Sequence, residues 1–304
     1  MTVASAAAGS GAGPAGGGLG GPAGGGPGGP AGGGPAGSAP GGPALAGTGV
    51  LAVRALLFWL VNYRRTWRGS IVSSVASPVL YLGALGVGLG TLVDQHGTGR
   101  LGGVSYLAFL APGLLAAAGM QTAVNESTFP VMAAVKWLKT YQAAAATPLR
   151  PGDLFRGHLL FTALRILMNS VIFLGIMAAF GAVKSVWVLA ALPVCVLTGL
   201  AFATPIEAWA ITRNKDTSFS LLIRFGLIPL FLFSGTFFPV TQLPGWLQPV
   251  AYATPLWHGV ALCRSLSLGT ATLGGSLGHV AYLVVLAVAG LLAGQHFYRR
   301  RLYA

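Results

Sequence analysis

Acidic residues are scarce. The 304 residues hold five Asp and Glu together against 18 Lys and Arg, and only 8% of the chain is charged, where soluble domains carry about 25%. With so few polar side chains a water-facing surface could not be covered, which excludes an ordinary soluble globule. The net charge of +13 would suit a nucleic-acid binder, but the basic residues are strung between long apolar runs and never gather on one solvated domain. Cysteine is almost missing. Cys195 and Cys263 stand apart in apolar stretches with no CxxC, so they read as small buried hydrophobes and not as a disulfide framework or thiolate metal site. None of the four lysines follows a glycine, so there is no P-loop and ATP hydrolysis has no seat on this chain. His96, His158, His258, His279 and His296 show no HExxH or Cys/His spacing, and no GxSxG elbow is present, which leaves metal and hydrolytic chemistry with little support.

What is abundant is apolar length. The chain is 54% hydrophobic with a mean hydropathy of +0.73, the composition of an all-α polytopic membrane protein. Residues 1–44 are nearly all Gly, Ala, Pro and Ser, have almost nothing to bury, and are expected to form a disordered tail ahead of a transmembrane domain over 45–304. The tail lacks the basic n-region and the apolar core of a secretory signal. Over 51–68, Leu56, Leu57, Leu60 and Val61 recur at helical spacing while Arg54, Arg64, Arg65 and Arg68 crowd the ends. That mixture predicts an amphipathic helix lying at the membrane interface, with arginines on lipid phosphates. Six spans follow, near 70–93, 104–125, 157–180, 186–211, 219–238 and 277–298, each about the 20 residues that cross a bilayer. With the N-terminus inside, the inner side carries thirteen Lys and Arg and the outer side three, so both termini are expected in the cytoplasm of a plasma-membrane protein.

Two non-spanning segments hold the candidate function. The first, 126–156, is cytoplasmic, and within it 131–146 is expected to form a short helix that ends before Pro148 and Pro151, with Asp153 capping the next helix. Trp137 and Tyr141, four residues apart, would share one face flanked by Lys136 and Lys139. The second, 237–264 on the outer side, is apolar, lacks acidic residues and is broken by Pro239, Pro244, Pro249 and Pro255. Two short re-entrant helices satisfy its backbone best, and Phe238, Pro239, Trp246 and His258 are the candidate gate. Charges inside spans are costly unless paired. Glu207 and Arg224 lie at comparable depth and would pair between neighbouring helices as a clamp or as a gate or relay, Arg165 would snorkel or touch lipid phosphate, and Glu126 would face solvent or receive a helix or basic partner. Gly83, Gly86, Gly88 and Gly90 would let another helix approach the first span.

Read together, ESTFPVMAAVKWLKTYQAAAATPLRPGDLFRGHLL and PLFLFSGTFFPVTQLPGWLQPVAYATPLWHGVALCR closely resemble the membrane subunit of type-2 ABC exporters. The similarity is greatest to the nodulation-protein-J and daunorubicin-resistance branch. It covers roughly residues 50–300 and is sharpest at KTYQAAAATPL, at SG-x-FFP and at LP-x-W with PL-x-H. The resemblance implies six spans, an N-terminal elbow helix bearing Arg64, Arg65 and Arg68, a coupling helix bearing Glu126, Lys136, Trp137, Lys139 and Tyr141, and a re-entrant outer segment. It implies a homodimer of permeases working with two ATP-binding cassette subunits that hold ATP and Mg. The cargo would be a bulky amphipathic drug, glycolipid or lipid-linked glycan, moved along a path lined by spans one, two and five. At one position the chain departs from the family, with Gly157-His158 where Gly-Glu is expected. The competing reading is an intramembrane lipid-modifying enzyme using His258 and Glu207.

Overall fold

The structure is a computed structural model that describes residues 48–96, 101, 103–145 and 149–303. The tail expected over 1–44 lies outside the described residues. Among the described residues every regular element is helical and there is no strand. The first helix, α1 (Thr48–Tyr81), passes through a π-helical stretch (Leu82–Leu89) into α2 (Gly90–Gln95). Next come α3 (Tyr106–Ser127), α4 (Phe129–Met132) with a π-helical continuation (Ala133–Trp137), and α5 (Thr140–Ala145). Two long helices follow, α6 (Pro151–Ala179) and α7 (Ala191–Ala210), then the short α8 (Thr217–Leu221), α9 (Ile228–Phe233) and α10 (Gln248–Tyr252). The chain closes with α11 (Pro255–Leu268) and α12 (Leu273–Tyr303). Among the described residues five stretches are long and apolar enough to cross a membrane: Leu51–Gln95, Tyr106–Trp137, Pro151–Ala179, Val186–Ala210 and Leu273–Tyr303. The expected fifth span is a shorter apolar helix, Thr217–Phe233, of no more than 17 residues. It stops at the SG pair because Gly235 takes φ 82°, a left-handed turn that glycine makes without strain.

Burial ranks the helices. In the most apolar window of the second stretch 78% is buried, against 17% in the first and last, so α3 is the axis of the bundle and α1 and α12 are its flanks. The separate interfacial helix expected over 51–68 is not formed. Nothing between Leu51 and Tyr81 breaks a helix until Pro78, and α1 runs on as one element. Its first turns stand against α6 because Gly157 has no Cβ. Ala55 packs there, and the Ala52 carbonyl lies 2.8 Å from where a Cβ would sit. Trp59 is buried and stacks on His158 with centroids 4.2 Å apart. Arg64, Arg65 and Arg68 are exposed. Of the four glycines expected to admit a neighbour, Gly86 and Gly90 do face α3, through Leu107 and Tyr106.

Polar caps end the helices where the sequence places them. The Asp153 carboxylate accepts from the Arg150 amide at 3.3 Å and so caps the start of α6. The outer segment is one short 3-10 turn (Val240–Gln242), the single-turn α10, and α11, which packs into the bundle and not at its rim. Leu256, Val260, Leu262 and Cys263 are buried. There Cys195 and Cys263, both free thiols, face each other across α7 and α11 at 3.7 Å.

Candidate functional site

Charges buried in an apolar bundle must find partners, and the pairs formed here differ from those expected. Arg165 does not reach for lipid. Its Nε donates to Glu126 Oε1 at 3.0 Å and its guanidinium lies 4.4 Å over the Tyr63 ring, so Glu126 receives an internal partner. One turn away Asn169 donates to the Thr122 hydroxyl at 2.9 Å. These four side chains border a cavity of about 210 Å³ that Ser73, Ser74 and Ser77 of α1 and Gln121 and Asn125 of α3 complete. Hydroxyls and amides on three helices make it a polar chamber inside an otherwise apolar bundle. It is walled by spans one, two and three, with only Phe231 reaching it from the expected fifth span.

Glu207 does not pair with Arg224, which is exposed on the π-helical stretch (Leu222–Leu227) between α8 and α9. Its carboxylate is fully buried, with His158 Nδ1 at 3.0 Å and the Tyr298 hydroxyl donating at 2.7 Å, both to Oε1. The histidine that departs from the family pattern therefore supplies the partner of the intramembrane acid. Glu207 Oε2 and His158 Nε2 are buried without a hydrogen-bond partner among the described residues. Around them close Trp59, Phe155 and Tyr141: Tyr141 meets Trp59 at 6.4 Å and Tyr298 at 5.9 Å between centroids, and Phe155 meets Tyr298 at 4.9 Å. Burial first, and then the nearby Glu207 carboxyl, pushes the Tyr141 hydroxyl well above its usual pKa.

Tyr141 thus faces inward, and the continuous helix expected over 131–146 is broken. Leu138 ends the π-helical stretch and Lys139 takes φ 51°. The turn is closed by Thr140 Oγ1 donating to the Ala134 carbonyl at 3.3 Å and Gln142 Nε2 to the Val135 carbonyl at 2.7 Å. The break separates the two aromatics that periodicity put on one face: Tyr141 is 2% exposed and Trp137 56%. Trp137 and Leu138 form an exposed apolar corner beside Lys136 and Lys139. Lys136 donates to the Asn214 carbonyl at 3.0 Å and Arg301 to the Asn214 side chain at 2.6 Å. The corner, the α7–α8 turn and the end of α12 therefore meet at one basic end of the bundle.

At the other end, Arg264 on α11 donates to the carbonyls of Phe109 at 3.1 Å and Gly235 at 2.8 Å, and sits 3.7 Å over the Phe109 ring. It ties the turn after α9 to α3 without a carboxylate. His258 Nδ1 lies 2.7 Å from His279 Nδ1 and stacks on Tyr282 at 4.0 Å. Burial, and then the neighbouring His279, lowers the His258 pKa to about 4. His258 and Glu207 belong to different clusters, so no joint active site forms. Phe238 and Pro239 line a cavity of about 990 Å³ with Leu89, His96 and Tyr106, while Trp246 is exposed. Among the described residues no three His, Cys, Asp or Glu could hold a metal.

Comparison with known proteins agrees with this architecture. The ABC-2 type transporter family matches residues 50–268. Nodulation protein J of Rhizobium meliloti (strain 1021) is 32% identical over 251 residues, 80% of this chain and 94% of that protein. Nodulation protein J of Rhizobium leguminosarum bv. viciae is 34% identical over 257 residues, covering 81% and 95%.

Proposed function

Because the chain belongs to the ABC-2 type transporter family and is an integral membrane transport component, we propose that it is the membrane subunit of an ATP-driven exporter. Two copies would work with two ATP-binding subunits, and the cargo would be bulky and amphipathic. The observation that carries this reading is the exposed Trp137–Leu138 corner, framed by two lysines and rooted in the core through Tyr141. An aromatic anchor ringed by charge is the pattern of a protein-binding hot spot. A partner that moves the corner moves Tyr141, and with it the buried cluster that joins α1, α6, α7 and α12 through Trp59, His158, Glu207 and Tyr298. Nucleotide-driven motion at the basic end would thereby reach the walls of the polar chamber at Glu126–Arg165, which suits the polar part of an amphipathic substrate.

The test is co-purification from native membrane. The expected outcome is an ATP-binding subunit at one copy per permease chain, released by Trp137→Ala. A chain purified without any ATPase, yet active on lipid, would overturn the proposal in favour of an intramembrane enzyme.

A further inference from the structure

An apolar groove of about 580 Å³ lies between α1, α6, α7 and α12, clear of the polar chamber. Its size falls within the roughly 300–1,000 Å³ of sites that take small ligands. The walls are Val53, Leu160, Ala163, Leu200, Val288 and Leu291. Thr204, the one hydroxyl on the wall, already donates to the Leu200 carbonyl at 3.0 Å, so the interior offers hydrocarbon and no free polar group. The groove opens on the face where Val284, Val285, Val288 and Leu292 of α12 are exposed. In an integral membrane protein that face meets acyl chains.

Its mouth differs from its walls, because Arg156 lines it. The Arg156 side chain is 39% exposed and its guanidinium is only loosely held by Asp153, at 4.0 Å, while Asp153 is engaged in capping α6. Free N–H donors in a planar fork match a phosphate bidentately. Arg54, which follows the groove-lining Val53 in sequence, and Arg150 before α6 are both exposed and add positive charge to this end of the bundle. Charge at the mouth and hydrocarbon within fit one kind of occupant.

We propose that this groove is a binding site for an anionic phospholipid of the adjoining leaflet, with one acyl chain along Leu160, Ala163 and Val288 and the phosphate on Arg156. The lipid seals α1 to α12 across α6 and is separate from any exported cargo.

The experiment is native mass spectrometry of the full chain, released from bicelles holding equal amounts of phosphatidylglycerol and phosphatidylcholine with the same acyl chains. The expected result is retention of phosphatidylglycerol over phosphatidylcholine by about tenfold, the scale of one charge-assisted hydrogen bond. That preference should vanish in Arg156→Gln and persist in part in Arg156→Lys, with size-exclusion profiles checking that each variant is folded. Ala163→Trp, which fills the groove, should release both lipids. An unchanged lipid ratio in Arg156→Gln, or undiminished lipid on Ala163→Trp, overturns the proposal. So does efficient disulfide cross-linking of Val288→Cys between two chains, which would make a second copy the occupant.

Discussion

Glu207 concentrates more of the fold than any other polar side chain, because one oxygen holds both His158 and Tyr298 inside the bundle. Removing one member of such a buried set strands the others, at a cost of about 3–5 kcal/mol. Glu207→Ala should therefore lower the thermal midpoint in detergent sharply. Glu207→Gln, which keeps an oxygen for Tyr298, should lose much less; equal midpoints for the two variants would show that the acceptor is not what matters. His258 makes the opposite kind of contact. Two imidazole nitrogens 2.7 Å apart need one donor and one acceptor, so the pair tolerates a neutral ring and not two cations. With its pKa lowered to about 4 from the ordinary 6.5, His258 binds fewer protons folded than unfolded over that interval. Its contribution is complete above 6.5 and is lost as pH falls toward 4. Thermal stability should fall on acidification through that window, and the dependence should flatten in His258→Gln. A wild-type profile flat from pH 7 to 4 would refute the assignment.

Among the elements, the broken coupling segment yields the sharpest test. Lys139 in the left-handed region carries a penalty of about 1–2 kcal/mol for a non-glycine residue, so Lys139→Gly should raise stability by about that amount. A loss of stability would favour the continuous helix. Trp137→Ala should leave the midpoint unchanged, since the side chain is 56% exposed, while weakening ATPase association by about 2–4 kcal/mol in a pull-down titration. Tyr141→Ala should destabilise the subunit itself. The sequence made α3, α6, α7 and α12 readable because long apolar runs have few alternatives, and Asp153 announced its cap by position alone. The break at Lys139 was hidden. Over 131–146 a 3.6-residue period fits both one helix and two, and the choice is made by Tyr141 entering a core assembled from four distant helices. The same reason hid the pairings of Glu126 with Arg165 and of Glu207 with His158 and Tyr298, whose partners are 39, 49 and 91 residues away. Depth along a span could be estimated from sequence, but not which neighbour a charge would face. Hence Arg224, at the expected depth, turned outward.

At the scale of the whole molecule, the distribution of basic residues sets which side of the membrane the basic end faces. The structure joins Lys136, Asn214 and Arg301 by hydrogen bonds, so the segment after α3, the α7–α8 turn and the end of α12 share one side. The turn before α7 and the turn after α11 meet at the opposite end, where Gly269 lies 3.4 Å from Ser185 on adding a Cβ. Lys and Arg in short connections are retained in the cytoplasm, and Lys136, Lys139, Arg150, Arg213, Lys215, Arg299, Arg300 and Arg301 lie in the connections and the helix end on the basic side, against Lys184 before α7 at the opposite end. The basic end should therefore be cytoplasmic, which is also where an ATP-binding subunit must reach Trp137. In a Cys195→Ser/Cys263→Ser background, single cysteines at Lys139, Lys215 and Arg300 should react with a membrane-impermeant maleimide only in inverted vesicles. A cysteine at Gly245, on the exposed turn next to Trp246, should react in intact cells. Labelling of positions 139 and 300 from opposite sides would contradict the hydrogen-bonded end itself. Labelling of all three from outside would keep the fold and reverse the protein, moving the Trp137 corner away from any cytoplasmic ATPase.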